Sequence, residues 1–314
     1  MPEANVRHVP VLLKEAIEFL RVRPGGTYVD CTLGLGGHSE AILRELGAKG
    51  RLIGFDRDPE AFDLAKSRLD RVSQELDEQA PRVQLVGAAF SSIARHVEPG
   101  SVDGILADFG TSSLHFDEAR RGFSFQADGP LDMRMDTRSG PTAEQVVNEA
   151  SERELADLIY EYGEERRSRT VARAIVRGRP ITTTRQLARI VASAVPPMKN
   201  APIHPATRTF QAIRIYVNRE LDEIKALLEA APQLLKPSGR LVVISFHSLE
   251  DRIAKDSLRD GAQHGIWTVL TKKPVTAGEE EISRNPRSRS AKLRAAEKQL
   301  PAAIGSRKQR EVSR

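Results

Sequence analysis

The sequence predicts an α/β fold, a doubly wound parallel sheet that is interrupted by an inserted helical domain. Two observations lead to this prediction. Up to about residue 108, short β-rich runs alternate with helical stretches, and apolar strands return after residue 239. Between them, from Phe116 to Pro205, the chain reads as a loop followed by helices with glycine and proline turns. A helical segment between two strand regions is typical of an inserted domain.

The first region contains four predicted strands, each followed by a glycine or a polar residue. The strands are expected at 27–31, 51–55, 83–86 and 104–107, with helices at 38–46 and 59–76. Pro59 suits the first turn of the second helix, because its ring fixes φ at a helical value. We expect residues 1–115 to form the first part of the sheet domain.

After the insertion, the pattern predicts one more helix and then the remaining strands. The apolar residues of this helix fall on one face, and they are Phe210, Ile213, Val217, Leu221, Ile224 and Leu228. Strands are expected at 241–244, 267–271 and 292–296, with a helix at 249–258. The predicted division is therefore 1–115 and 206–298 for the sheet domain, 116–205 for the inserted helical domain, and 299–314 for a basic, flexible tail.

Composition and charge exclude several classes of protein. No apolar run approaches the ~18 residues that a transmembrane helix needs, and the first twenty residues lack the apolar core of a signal peptide. The single cysteine, Cys31, excludes an internal disulfide framework and a cysteine-based zinc site. We therefore expect a soluble, cytoplasmic protein.

The net charge of +5 is unevenly distributed. Residues 283–314 hold ten basic and two acidic residues, so the remainder of the chain is close to neutral. A basic end of this kind favours contact with a polyanion such as RNA, although a solvated tail explains it equally well.

The predicted carboxyl ends of the strands carry an unusual set of side chains. Asp30, Asp56 and Asp108 end three of the strands, and the glycine-rich loop 34–37 follows the first. Ligands bind at this edge of a doubly wound sheet, and a carboxylate after the second strand holds ribose hydroxyls. The dinucleotide pattern G-x-G-x-x-G fails, because Ser39 stands at its third glycine. A nucleoside without a pyrophosphate therefore fits better, whereas the loop alone would often be a simple turn.

Asp108 also suggests a chemical role. Methyltransferases that act on exocyclic amines place an acidic or amide residue after this strand. Such an amine delocalises its lone pair into the ring, and hydrogen-bond acceptors on its N–H groups localise that pair. The alternative is a turn or helix-capping aspartate.

Other motifs carry weaker signals. The run from Ser245 to Asp251 lacks the G-x-S-x-G pattern of a serine nucleophile, and Ser248 serves equally well as a helix cap. The seven histidines show no ligand spacing, so we expect no metal. Four arginines recur at helical spacing and predict a basic stripe, which is either a phosphate-binding face or a solvated one; they are Arg166, Arg169, Arg173 and Arg177.

Longer motifs carry a family resemblance over nearly the whole chain. They include Gly36-Gly37-His38-Ser39, 121–125 (RGFSF), 129–135 (GPLDMRM), 204–211 (HPATRTFQ) and 243–252 (VISFHSLEDR). With these motifs the sequence resembles the RsmH (MraW) family, the bacterial 16S rRNA cytosine-N4 methyltransferases. The resemblance implies a Rossmann-like class I methyltransferase sheet with an inserted helical domain.

The resemblance also implies a cofactor, a substrate and site residues. The cofactor is S-adenosylmethionine, and the substrate is the exocyclic N4 of a cytosine in 16S rRNA, at the decoding centre of the small ribosomal subunit. The implied cofactor-binding residues are Gly36, Gly37, His38, Asp56, Phe90, Asp108 and His115. The family commonly has glutamine where this chain has His115, and a neutral imidazole nitrogen cannot donate and accept at once.

Other implications concern the substrate. Asp132, Arg134 and His247 are candidates to contact the target base or its phosphates. No general base stands out, and a homodimer is compatible with the resemblance. Two other functions stay open: a nicotinamide dehydrogenase, and a non-catalytic rRNA-binding assembly factor that retains a cofactor pocket.

Overall fold

The structure is a computed structural model that describes residues 10–195 and 203–300. Its strands are β1 (Thr27–Asp30), β2 (Arg51–Phe55), β3 (Arg82–Val86), β4 (Val102–Asp108), β5 (Leu235–Ser245), β6 (Trp267–Val269) and β7 (Lys292–Lys298). They form one sheet in the order β3-β2-β1-β4-β5-β7-β6. This arrangement confirms the predicted Rossmann-like α/β class.

One edge of the sheet differs from the prediction. The pairings from β3 through β5 are parallel, as expected, but β7 runs antiparallel to both β5 and β6. The expectation of a wholly parallel sheet is therefore wrong at this edge. Apolar periodicity identifies a strand without indicating its direction, which depends on pairing with distant residues.

Twelve α-helices are described. Those that pack on or beside the sheet are α1 (Leu13–Leu20), α2 (Gly37–Leu46), α3 (Pro59–Leu76), α4 (Ser113–Asp117), α10 (Glu220–Leu234), α11 (Ser248–Gln263) and α12 (Glu279–Arg284). The others are α5 (Ala143–Glu149), α6 (Glu152–Gly163), α7 (Ser168–Arg177), α8 (Thr184–Ala194) and α9 (Thr207–Asn218). Within the described ranges, no helix is both long enough and apolar enough to cross a membrane.

The core has three parts, which follow from the alternation of side chains along the strands. Val29, Ile53 and Ile105 face one side of the sheet, where α10 and α11 pack. Their neighbours Tyr28 and Leu52 face the other side, against α1, α2 and α3. A separate cluster holds the helices α5 to α9 together. The sheet thus has two covered faces, and the helical part has its own core.

The predicted helix from Phe210 to Leu228 is two helices. It breaks at Arg219, whose φ of 51° lies in the left-handed region. Phe210 and Val217 pack in the helical cluster, while Leu228 packs against the sheet, so the apolar face serves two different cores. The domain boundaries stay a prediction; helix α9, which they assign to the sheet domain, packs with α5 to α8.

Much of the basic C-terminal region is part of the fold. Arg294 is buried in β7 and pairs with Asp251, and Arg287 pairs with Asp117 at 2.8 Å. These charges are neutralised within the chain. Except for Gln299 and Leu300, the predicted basic tail 299–314 lies outside the described residues.

Candidate active site

A cavity of about 330 Å³ lies at the carboxyl ends of β1, β2, β4 and β5. This is the edge at which the sequence predicted a ligand. Its lining includes six of the seven predicted cofactor residues: Gly37, His38, Asp56, Phe90, Asp108 and His115. We call it the cofactor cavity.

The glycine loop is held to the second strand by Asp56. The carboxylate of Asp56 accepts the backbone N–H of Gly34 at 2.8 Å and that of Asp58 at 2.9 Å, one on each oxygen. Burial raises the pKa of Asp56 to about 6, despite these two hydrogen bonds. Each oxygen keeps a second lone pair, so the carboxylate can still accept a pair of ligand hydroxyls.

Two glycines at the start of α2, Gly36 and Gly37, are required for different reasons. Gly36, the predicted residue that does not line the cavity, has a φ of 77°, which L-residues with a side chain rarely adopt. A side chain on Gly37 would lie 2.2 Å from the ring of Pro10. Behind this turn, the buried Asp30 accepts the hydroxyl of Ser39 at 2.6 Å. Asp30 therefore supports the loop from behind and does not line the cavity.

Asp108 is the most unusual group in the cavity. Its N–H donates to Thr32 Oγ1 at 2.7 Å, and its Oδ2 lies 3.8 Å from Nδ1 of His38. Its Oδ1 is buried and has no hydrogen-bond partner among the described residues. Burial, together with the nearby charges of Asp30 and Glu250, raises the pKa of Asp108 well above its usual value. A buried acceptor without a partner is costly, which indicates that a ligand donor belongs there.

The opposite wall is aromatic. Phe90 begins a short 3₁₀ segment after β3, and its ring lies 6.2 Å from that of Phe109, which follows β4. Both rings line the cavity. This wall can stack against a flat heterocycle such as adenine.

His115 lines the cavity, but its ring is engaged elsewhere. Its Nε2 lies 2.6 Å from Oδ2 of Asp58, and the ring stacks on Phe123 at 4.6 Å. Burial lowers the pKa of His115 in spite of the nearby carboxylate, so the imidazole is neutral near pH 7 and donates this hydrogen bond. Its Nδ1 lies 3.4 Å from the hydroxyl of Ser112, so both ring nitrogens have polar neighbours within the protein.

Asp58 and Arg121 form a buried pair that sequence reasoning missed. The Nη2 of Arg121 donates to Asp58 at 2.9 Å and to the carbonyl oxygens of Arg134 and Met135. Although burial raises it, hydrogen bonds from His115 and Arg121 hold the pKa of Asp58 at about 2. The pair ties the start of α3 to the segment that leads into the helical part. The motif 121–125 contains Arg121, but nothing local in it indicates a buried arginine.

The three predicted substrate contacts are not brought together. Asp132 and Arg134 form a two-bond ion pair at 2.8 Å, and neither lines the cofactor cavity. His247 caps α11, and its Nε2 lies 3.2 Å from Oε1 of Glu250. Their roles toward a substrate stay predictions.

Among the described residues, one group brings metal-ligating atoms together. One such atom each from Glu220, His247 and Glu250 lies within 4.8 Å of the others. Glu220, however, makes two 2.9 Å hydrogen bonds with the partly buried Arg214. Oε2 of Glu250 accepts the N–H of Phe246 at 2.8 Å. A cation there would compete with Arg214, and the predicted absence of a metal stays a prediction.

The cofactor cavity fits S-adenosylmethionine in three respects. Asp56 suits the ribose hydroxyls, the Phe90 wall suits the adenine, and the unpartnered oxygen of Asp108 suits an N–H donor or a cationic group.

The comparisons agree with one another. Residues 5–299 match the family described as "MraW methylase family". "Ribosomal RNA small subunit methyltransferase H" of Acidobacterium capsulatum is 70% identical over 93% of this chain and 98% of its own length. The protein of the same name from Koribacter versatilis is 62% identical over 92% of this chain and 93% of its own. That of Sorangium cellulosum is 52% identical over 92% and 90%.

These matches cover the sheet, the inserted helices and the cofactor cavity together. They confirm the resemblance that the motifs indicated, and with it a methyltransferase. The chain belongs to the MraW methylase family.

Proposed function

We propose that this protein transfers the methyl group of S-adenosylmethionine to the exocyclic N4 of a cytosine in 16S rRNA, at the decoding centre of the small ribosomal subunit. One structural observation carries the proposal: the carboxylate of Asp108 lines the cofactor cavity with a buried oxygen that has no partner among the described residues. The names of the relatives supply the class of substrate, small-subunit ribosomal RNA.

The chemistry explains why a carboxylate belongs at this point. Bound S-adenosylmethionine supplies an electrophilic methyl group. A carboxylate that accepts an N–H of the target amine localises the nitrogen lone pair and aligns it for in-line displacement. The nearby His38 and Thr32 fix the position of Asp108. The target base must leave its stack to reach this depth, and unpaired RNA does so at least cost.

The predicted arginine stripe supports contact with RNA phosphates. Arg169, Arg173 and Arg177 lie exposed on α7, and Arg166 precedes it. In the described part of the chain, the single ion pair of these four joins Arg173 to Glu152 at 3.4 Å. If the stripe binds phosphates, the variants Arg169→Ala and Arg177→Ala each reduce the salt dependence of RNA binding by about one counterion. Changes at Arg284, which pairs with Glu280, serve as the control.

The deciding experiment measures methyl transfer from labelled S-adenosylmethionine to small ribosomal subunits that lack their native modifications. Nucleoside mass mapping should then find one N4-methylated cytosine in 16S rRNA. The variant Asp108→Ala should lose this activity, and retention of full activity would contradict the proposed role of the carboxylate. Label on another base, or in DNA or protein, would overturn the substrate assignment.

The two alternatives from the sequence give different results in the same experiment. Family membership sets aside the nicotinamide dehydrogenase, and a titration with NAD should show no binding. A non-catalytic assembly factor would bind rRNA without transferring label. A cytoplasmic location follows from a ribosomal substrate and belongs to the proposal, and the homodimer stays a prediction.

A further inference from the structure

A second cavity, of about 470 Å³, adjoins the cofactor cavity. It lies where α9 meets α10, beside α6 and the loop after β2, and the two cavities share Arg57, Ala89 and Glu223. We call it the flanking cavity. It opens at the seam between the sheet and the helical cluster, where substrates often bind.

Arg57 stands in the wall between the two cavities. Its guanidinium donates to the carbonyl oxygen of Asn218 at 2.7 Å and to the sulfur of Met135 at 3.0 Å. No carboxylate of the described residues lies within ion-pairing distance of it, and three of its five N–H groups make no hydrogen bond there. A partly buried guanidinium that is held in place, with its charge unpaired, suits a phosphate.

Two tyrosines give the flanking cavity an aromatic side. The rings of Tyr162 on α6 and Tyr216 on α9 lie 6.5 Å apart at 41°, and both residues line the cavity. Tyr216 is 47% exposed, which is unusual for so large a ring. An exposed ring beside a cation is the arrangement with which proteins hold single-stranded nucleic acid.

The acidic residues of the flanking cavity are mostly engaged. Asp136 makes two hydrogen bonds with the side chain of Arg138, and Asp222 pairs with Arg219 at 3.2 Å. Glu223 accepts the N–H and the hydroxyl of Ser91, both at 3.0 Å. Because Glu223 has no cationic partner among the described residues, the lining is mixed. Arg134 and Arg219 also line the flanking cavity, but Asp132 and Asp222 pair with them. Among the described lining residues, Arg57 is therefore the arginine whose charge is unpaired. A base on tyrosine with one phosphate at Arg57 fits this lining.

We propose that the flanking cavity binds the nucleotide next to the one that is methylated, in single-stranded RNA. Its base stacks on Tyr216, and the phosphate between the two nucleotides lies against Arg57. The inference rests on the proposed function, because it assumes that the target base enters the cofactor cavity. It explains why the two cavities share a cationic wall.

The test compares Tyr216→Ala with two matched variants. Tyr216→Phe keeps the ring, and Tyr160→Ala removes a tyrosine that is 64% exposed on α6 but lines neither cavity. With unmodified small subunits as substrate, Tyr216→Ala should raise KM for the subunit about tenfold, the loss expected for one stacked base. The kcat and the affinity for S-adenosylmethionine should not change, and Tyr216→Phe and Tyr160→Ala should match the unaltered protein.

Arg57 gives an independent signature. In equilibrium binding of a labelled single-stranded RNA oligonucleotide, with S-adenosylhomocysteine present, Arg57→Gln should lower the salt dependence by about one counterion. Tyr216→Ala should weaken binding without changing that dependence. Thermal unfolding of Arg57→Gln checks that the seam, which Arg57 joins through Asn218, stays intact.

Three results would overturn the inference: an unchanged KM in Tyr216→Ala, an equal loss in Tyr160→Ala, or a loss in Tyr216→Phe as large as in Tyr216→Ala. The binding assay separates this inference from the proposed function. If the unaltered protein methylates no cytosine but Tyr216→Ala still weakens binding of the oligonucleotide, the flanking cavity holds RNA and the proposed reaction is wrong.

Discussion

Replacing Asp108 by asparagine should make the protein more stable and less active. The two side chains have nearly the same shape, so the change removes a charge without opening a hole. The carboxylate lies near two other buried acids, Asp30 and Glu250, and one of its oxygens has no partner among the described residues. The amide of asparagine carries no charge, so the repulsion from Asp30 and Glu250 disappears.

The amide stays without a partner among the described residues, so the gain is the removed charge repulsion alone. This gain lies below the cost of an unsatisfied buried polar or charged group, about 1–3 kcal/mol. The side chain of Asp108 is 24% exposed, so a gain of at most about 1 kcal/mol is expected. This corresponds to a rise in Tm of at most about 2 °C. Activity should fall by about 10²-fold or more, the usual loss when one preorganised electrostatic group is removed.

The direction of the pH dependence of stability tests this prediction. The pKa of Asp108 is raised in the folded protein, so the unfolded chain loses this proton first as the pH rises above about 4. The free energy of unfolding of the unaltered protein therefore decreases relative to that of Asp108→Asn as pH increases, and the two converge near pH 4. Thermal unfolding without cofactor at pH 4 and pH 7 measures the difference. A variant that is less stable at pH 7, or equally stable at both values, would refute this reasoning.

Three further predictions concern the cofactor cavity and its supports. The pKa of Asp56 is about 6, so this carboxylate becomes protonated as the pH falls from 7 to 5, and the affinity for S-adenosylmethionine should fall about tenfold. Calorimetry measures this affinity, and Asp56→Asn should show a weaker affinity that does not depend on pH. His115→Gln can still donate to Asp58, so its free energy of unfolding in urea should be close to that of the unaltered protein. His115→Ala removes this donor from the Asp58 carboxylate, so its free energy of unfolding should be lower by about 2–3 kcal/mol. Gly122→Ala should lose more stability than Gly140→Ala: both glycines have a φ near 80°, but only at Gly122 would the new Cβ meet a backbone oxygen, that of Pro130 at 2.4 Å. Equal losses at the two glycines would show that the strain lies in φ alone.

The sequence predicted the sheet well, and it predicted the edge of the sheet at which the cavity lies, because both depend on local patterns. Short β-rich runs that end in Asp56 or Asp108 locate the carboxyl edge of the sheet, and parallel pairing brings those ends together. The high glycine content of residues 34–37 predicts the loop after the first strand. The residues that determine the strands and the loops after them lie within a few positions of each strand, so periodicity and turn-forming residues in the sequence identify them.

The features that sequence reasoning missed depend on distant partners. Arg121 looks like a surface residue in the chain, but it is buried because Asp58 and the carbonyl oxygens of two distant residues surround it. The flanking cavity likewise joins Arg57 to Tyr216, far apart in the chain. The two tyrosines of this cavity are 54 positions apart in the chain and meet only in the fold.

The break at Arg219 links the fold to the substrate. The apolar pattern runs through this position without a glycine or proline, so it predicts a single helix, but a straight helix would place Val217 and Leu228 against one core. Arg214 and Glu220, on opposite sides of the break, are joined by two hydrogen bonds of 2.9 Å that hold the bend. Asn218, the last residue of α9, binds the backbone of Met133 and Met135 and accepts from Arg57. The bend therefore sets the position of the helical cluster against the sheet and shapes the flanking cavity between them. The left-handed conformation of Arg219, with φ near 50°, costs about 1 kcal/mol. The chain adopts it because the bend lets α9 and α10 pack against two different cores.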